Sequence, residues 1–185
     1  KKIDLVKIFP LARSMMQEKW STFYKKGISP PSLKLMIVGI PNVGKSSLIN
    51  RLSRRKATQI GPNPGVTKHQ NWIKLDNNIE LLDTPGILWP RIENHEVGLR
   101  LTITGAIKDS IVGTSKLSIY LLSILKNAEP KKLEQFYKLE LSDIELPPAN
   151  LINKIAEKRG CLKMGGIIDR TRAESLFLRD FRAGK

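Results

Sequence analysis

Residues 39–46 read Gly-Ile-Pro-Asn-Val-Gly-Lys-Ser, which has the spacing G-x-x-x-x-G-K-[ST]. Glycines at this spacing let backbone N–H groups turn inward and surround the oxygens of a phosphate chain. A helix starting just after the loop adds its positive N-terminal end. Gly44 permits close backbone approach, Lys45 is placed to reach the β- and γ-phosphates, and Ser46 is a candidate Mg²⁺ ligand. The loop lies between an apolar strand-like run and a helix-like run, the setting in which this motif works.

A second group of residues corroborates the first. Asp83 closes the apolar run "IELLD", lies 37 residues after Ser46, and is followed by Thr-Pro-Gly. A carboxylate at a strand tip beside the phosphate loop suits a bound Mg²⁺, and Gly86 can offer a backbone N–H to the γ-phosphate. Asp-Thr-Pro-Gly at this distance points to a GTP switch rather than an ATPase. Between the two motifs, "NPGVTKHQNW" supplies Thr67, a candidate for both Mg²⁺ and γ-phosphate in the GTP state. Lys45 and Thr67 are the candidate catalytic residues. His69 reads as a solvated loop histidine, and His95 more so. Ile87 stands where many GTPases carry a water-orienting glutamine, so that group must come from elsewhere. Asn42 occupies the loop position at which a side-chain oxygen can hold K⁺, in place of the charge an arginine finger brings.

These residues need strands and helices to place them. "LKLMIVG" (33–39) has the texture of a buried strand, and the phosphate-loop helix should run to about Leu52. "NWIKL" (71–75) and "IELLD" (79–83) are joined by Asp76-Asn77-Asn78, which predicts an antiparallel hairpin because asparagine tolerates positive φ. Residues 5–26 read as an amphipathic helix or helix pair interrupted at Pro10. Beyond Pro90 the pattern turns helical, with candidates at 95–108, 116–127, 130–138, 148–159 and 171–183. The expected organisation is an α/β P-loop domain over 1–90 and an all-α domain over 91–185.

The 185 residues carry a formal net charge of +15 with a pI of about 10.1, which points to a polyanionic partner. The charge is uneven: residues 1–90 hold 15 Lys and Arg against 5 Asp and Glu, 91–148 hold 8 against 8, and 149–185 hold 9 against 4. A single cysteine, Cys161, excludes an internal disulfide framework. No run approaches the ~20 apolar residues of a membrane span and no leader opens the sequence, so a soluble intracellular protein is expected.

Guanine recognition normally uses Asn-Lys-x-Asp downstream of Asp-x-x-Gly. The nearest matches, Asn153-Lys154-Ile155-Ala156 and Lys1-Lys2-Ile3-Asp4, fail on residue type or position. A base reader that precedes the phosphate loop defines the circularly permuted GTPases. "GIPNVGKSSLINRL", "GPNPGVTK", "LLDTPGILWP", "VGLRLTITGAIKD" and "EKRGCLKMGG" together resemble the ribosome-biogenesis GTPases of the YlqF/RbgA type over nearly the whole sequence. The resemblance implies a circularly permuted GTPase domain, here incomplete, followed by an all-α domain that binds rRNA. It implies GTP and Mg²⁺, with K⁺ as a further candidate, and a late precursor of the large ribosomal subunit as partner. Binding in the GTP state and release after hydrolysis follow from it, as does stimulation by the particle. Its nucleotide contacts fall on Asn42, Val43, Gly44, Lys45, Ser46, Ser47, Thr67 and Gly86, and its Mg²⁺ site on Ser46, Thr67 and Asp83. The family's Asn-Lys-x-Asp and its N-terminal catalytic histidine have no counterpart here.

Two basic groups are candidates for rRNA: Arg54, Arg55 and Lys56 after the phosphate-loop helix, and Lys158, Arg159, Lys163, Arg172, Arg179 and Arg182 near the end. In the last segment Ala173, Leu176, Phe177 and Phe181 share one helical face and read as core. The expectation is a monomeric GTPase assembly factor in a bacterial cytoplasm, or alternatively in a mitochondrial matrix. A nucleotide-independent rRNA-binding scaffold with a vestigial phosphate loop is the competing reading. An ATP-dependent RNA remodelling enzyme is disfavoured by Asp-Thr-Pro-Gly and the lack of helicase motifs.

Overall fold

The computed structural model describes residues 5–58, 61, 70–75, 78–89 and 91–185. They fall into two compact units, Lys1–Leu88 and Trp89–Lys185.

In the first unit, helix α1 (Ile8–Lys25) follows a single 3-10 turn at Leu5–Lys7. It runs unbroken through Pro10, against the interruption expected there. Pro10 is the third residue of the helix, where a backbone N–H would have no intrahelical acceptor, so its missing donor costs nothing. Strand β1 (Leu33–Ile37), helix α2 (Lys45–Ser53), strand β2 (Asn71–Leu75) and strand β3 (Ile79–Asp83) follow. The sheet order is β1-β3-β2, with β1 parallel and β2 antiparallel to β3. Asn78 takes φ +58°, the left-handed conformation that the Asp-Asn-Asn link predicts.

The parallel register sets Ile37 opposite Asp83, so the two motif-bearing strand tips lie side by side. One face of the sheet packs on α2, where Ile49, Ile73 and Leu81 form a small core flanked by Phe9, Leu35, Ile37, Leu52, Ala57 and Leu75. The other face is open among the described residues. Met36, Val38 and Trp72 are exposed there, and the Lys34 ammonium stands over the Trp72 ring. β1 therefore alternates inward and outward, where the sequence suggested a strand buried on both faces.

The second unit is built from α3 (His95–Ile103), α4 (Thr114–Ala128), α5 (Pro130–Tyr137), α6 (Leu141–Glu145), α7 (Pro148–Lys158) and α8 (Arg170–Arg182). Leu117, Leu121 and Leu122 of α4 interlock with Leu151, Ile152 and Ile155 of α7 and Ala173, Phe177 and Leu178 of α8. The i, i+4 recurrence on each helix (Leu117 and Leu121, Leu151 and Ile155, Ala173 and Phe177) produces this face. α3 stops at Ile103 rather than near 108, because Gly105 leaves the helical region at φ +79°. α6 was not anticipated from the sequence. It is too short to show a period, and its start is set by the reciprocal caps of Glu140 and Asp143.

Candidate phosphate-binding site

The loop between β1 and α2 takes the conformation its glycines allow. Gly44 sits at φ +95°, ψ +17° immediately before α2, and Asn42 is left-handed at φ +58°. Val43 is exposed between them, and Lys45, Ser46 and Ser47 form the first turn of α2. The Lys45 ammonium folds back over the loop and donates to the carbonyls of Gly39 at 3.1 Å and Ile40 at 2.8 Å. Burial pulls its pKa below the ordinary lysine range, while the neighbouring Asp83 carboxylate works against that shift.

Asp83 ends β3 and is buried. The next residue ties the two strand tips together, since the Thr84 hydroxyl donates to the Ile37 carbonyl at 2.7 Å. The chain then lies directly on the phosphate loop. A Cβ on Gly86 would fall 2.5 Å from both the Cα and the N of Pro41, and the Ile87 N–H donates to the Gly39 carbonyl at 3.2 Å. The structure thus gathers Asn42, Val43, Gly44, Lys45, Ser46, Ser47, Asp83 and Gly86 around one loop. Thr67 and His69 lie outside the described residues.

Hard oxygen donors on Ser46 and Asp83 suit Mg²⁺. Among the described residues no group of three or more His, Cys, Asp or Glu side chains could cage a metal. An ion completed by phosphates and water, as Mg²⁺ prefers, fits that sparse set. The exposed carboxamide of Asn42 is an oxygen donor of the kind K⁺ accepts.

Sequence reasoning missed Asn50, one turn after Ser46 on α2. Its Oδ1 accepts from the N–H groups of Ala57 and Thr58, both at 2.8 Å, and its Nδ2 donates to the Thr58 carbonyl at 3.0 Å. The Thr58 hydroxyl in turn donates to the Ser46 carbonyl at 3.2 Å. This ties the chain leaving α2 to the turn that carries Ser46. The available signal was a helix-interior asparagine, a residue that favours such a position only when its amide is bonded.

The basic candidates divide by their partners. Arg54 and Lys56 are exposed, and Arg55 donates to the Lys74 carbonyl at 2.9 Å. In the second unit Arg182 is committed to the fold. Its guanidinium grips both oxygens of Asp109 at 2.6 and 3.0 Å and donates to the carbonyls of Ile103 and Thr102, both at 2.8 Å. Arg159 pairs with the buried Asp180 at 3.0 Å and lies over the rings of Phe136 and Tyr137. Lys158, Lys163, Arg172 and Arg179 are left facing outward. Phe177 is buried and Phe181 half-buried against the core. His95 contacts Lys116 at 3.1 Å in the second unit.

A phosphate loop joining a strand of a mixed sheet to a helix, with an Asp-Thr-Pro-Gly turn docked on it, defines a P-loop nucleotide-binding domain, here followed by an all-α unit. The profile of the family described as 50S ribosome-binding GTPase matches residues 34–155, and the chain belongs to that family. It is 44% identical over 181 residues to Ribosome biogenesis GTPase A of Bacillus licheniformis, covering 98% of this chain and 63% of that protein. Against Ribosome biogenesis GTPase A of Bacillus pumilus it is 42% identical over 181 residues, covering 98% and 64%. The chain therefore spans a little under two thirds of the length of these curated relatives. GNP-bound YlqF from T. maritima aligns with a TM-score of 0.48 and 26% identity over 91% of this chain and 71% of that one. No helix among the described residues is long and apolar enough to cross a membrane.

Proposed function

We propose that this chain forms the phosphate-binding and particle-binding parts of a GTPase that assists a late step in maturation of the large ribosomal subunit. The observation that carries the reading is the docking of Gly86 and Ile87 on the phosphate loop. It puts the Asp-Thr-Pro-Gly backbone where the presence or absence of a γ-phosphate changes its contacts. Lys45 holds the β- and γ-phosphate oxygens, and Gly86 offers its N–H to the γ-phosphate. Ser46, Asp83 and Thr67 hold Mg²⁺, which neutralises charge on the β- and γ-oxygens when bound. Asn42 contributes an oxygen to a K⁺ ion beside the same phosphates.

Ile87 has no group that can bond water, so hydrolysis is slow until the ribosomal particle is engaged. The outward-facing cations of both units contact rRNA in the GTP state, and the contact loosens after hydrolysis. The protein acts as a monomer in a bacterial cytoplasm.

The test is titration of the full chain with a fluorescent non-hydrolysable GTP analogue and with GDP, with and without large-subunit precursors. Submicromolar binding that resists a hundredfold excess of ATP, and particle binding favoured by the GTP analogue, are expected. Lys45→Ala should remove both. Displacement by ATP would overturn the guanine assignment. Particle binding that ignores nucleotide, and is unchanged by Lys45→Ala, would establish the scaffold reading instead.

A further inference from the structure

Between α7 and α8 the chain forms a short stapled tongue. Leu162 and Ile168 pair as an antiparallel bridge, the Lys163 N–H donates to the Ile167 carbonyl at 2.7 Å, and the Asp169 N–H donates to the Cys161 carbonyl at 2.8 Å. Its tip turns through Gly165 and Gly166 at φ +80° and +76°, closed by a bond from the Gly166 N–H to the Lys163 carbonyl at 3.1 Å. Cys161 at its root is 0% exposed, whereas Met164 at the tip is 96% exposed, Ile167 66% and Leu162 42%. A tip held by three backbone bonds presents three apolar side chains in a fixed shape, so little further ordering is needed on binding.

The charges around the tongue define what it would meet. Every nearby carboxylate already has a partner: Glu157 bonds Lys154, Asp169 caps α8 at the Arg172 N–H, and Glu174 pairs with Arg170. No carboxylate pairs with Lys158, Lys163 or Arg172 among the described residues, and all three are exposed. Unpaired cations on the tongue and at the helix ends that flank it, beside an apolar tip, suit a polyanion whose flat apolar faces are accessible.

We infer that the Cys161–Asp169 tongue is an RNA wedge: Met164 packs against the face of a base in rRNA that is open or unstacked, while Lys158, Lys163 and Arg172 hold the flanking phosphates. This rests on the ribosomal reading above and assigns the contact to a particular tip and a particular kind of base contact. A thioether against an aromatic face is a favourable pairing, and apolar wedges between bases are a recurrent device of nucleic-acid binders.

Affinity of the full chain for large-subunit precursors, with a non-hydrolysable GTP analogue and across a series of salt concentrations, tests this. Met164→Ser alters only a solvent-facing side chain, so folding and nucleotide affinity serve as unchanged controls. It should weaken particle binding by roughly tenfold, the scale of one base-stacking contact, without altering the salt slope. Lys163→Glu should weaken binding and reduce the slope by about one ion or more, the signature of a phosphate contact. A Met164→Ser protein that binds as tightly as the parent overturns the wedge. A parent that fails to bind the particle instead overturns the ribosomal reading. A Met164→Cys variant carrying a tethered RNA-cleaving probe gives an independent result, because the buried Cys161 escapes labelling. Cuts confined to a short rRNA stretch support the wedge, while a particle-bound variant that yields no rRNA cuts overturns it.

Discussion

Gly86 shows how one missing side chain can define a site. A Cβ at this position would lie 2.5 Å from Pro41 N and Cα, both backbone, and 2.8 Å from the ring Cγ. Gly86→Ala must therefore push the Asp-Thr-Pro-Gly turn off the phosphate loop, and trimming the Pro41 ring cannot relieve it. The expected result is a loss of at least tenfold in affinity for a GTP analogue, a smaller loss for GDP, and no rescue in the Gly86→Ala, Pro41→Ala double variant. Isothermal titration of the three proteins checks this, and full rescue would show that the ring alone sets the contact. Lys45 yields a pH prediction. On the proposed function its charged form pairs with phosphate, so affinity is kept below its folded pKa and lost as pH rises through it. Burial lowers that pKa from the ordinary 10.5, and Asp83 opposes the shift. The alkaline limb of GDP affinity, measured in EDTA to remove metal effects, should thus lie lower than for a free lysine. In Asp83→Asn it should move lower still, and a limb that moves upward would contradict the pairing.

At the scale of elements, α2 organises the site by carrying Lys45 and Ser46 at one end and Asn50 a turn later. Asn50→Ala strips acceptors from two backbone donors and a donor from one carbonyl, at a cost of about 2 kcal/mol for half-buried groups left unbonded. Thr58→Val removes a single hydroxyl and should cost about 1 kcal/mol. Urea titration of the two variants would rank them, and a larger loss for Thr58→Val would show that the clamp is not centred on Asn50. This element also shows what the sequence made legible. The phosphate loop and Asp-Thr-Pro-Gly could be read directly because their chemistry depends on fixed local spacing. The hairpin could be read from its turn residues. The Asn50 clamp could not, because its partners lie seven and eight residues away across a turn with no pattern of its own. Nor could the engagement of Arg182, whose partners lie 73 to 80 residues back. Arginines on one helical face look alike until the fold supplies an Asp109 for one of them and water for another.

At the scale of the whole molecule, the two units have unequal resources. Among the described residues the first unit buries five apolar side chains, Leu33, Ile49, Ile73, Ile79 and Leu81, and leaves one sheet face open, whereas the core cluster of the second encloses seventeen. Hydrophobic stabilisation grows with buried apolar area, so the helical unit should be the more stable. Residues 89–185 expressed alone should unfold in one cooperative transition, because their core is drawn from their own helices. In the full chain, calorimetry should show two transitions. Ligand that binds only the native state raises stability by mass action, so saturating guanine nucleotide should raise the lower transition and leave the upper one in place. Lys45→Ala should abolish the shift without altering the upper transition. A single transition that moves as a whole with nucleotide would mean that the units fold as one cooperative body. In that case nucleotide occupancy would be felt directly in the stability of the unit that carries Lys158, Lys163 and Arg172.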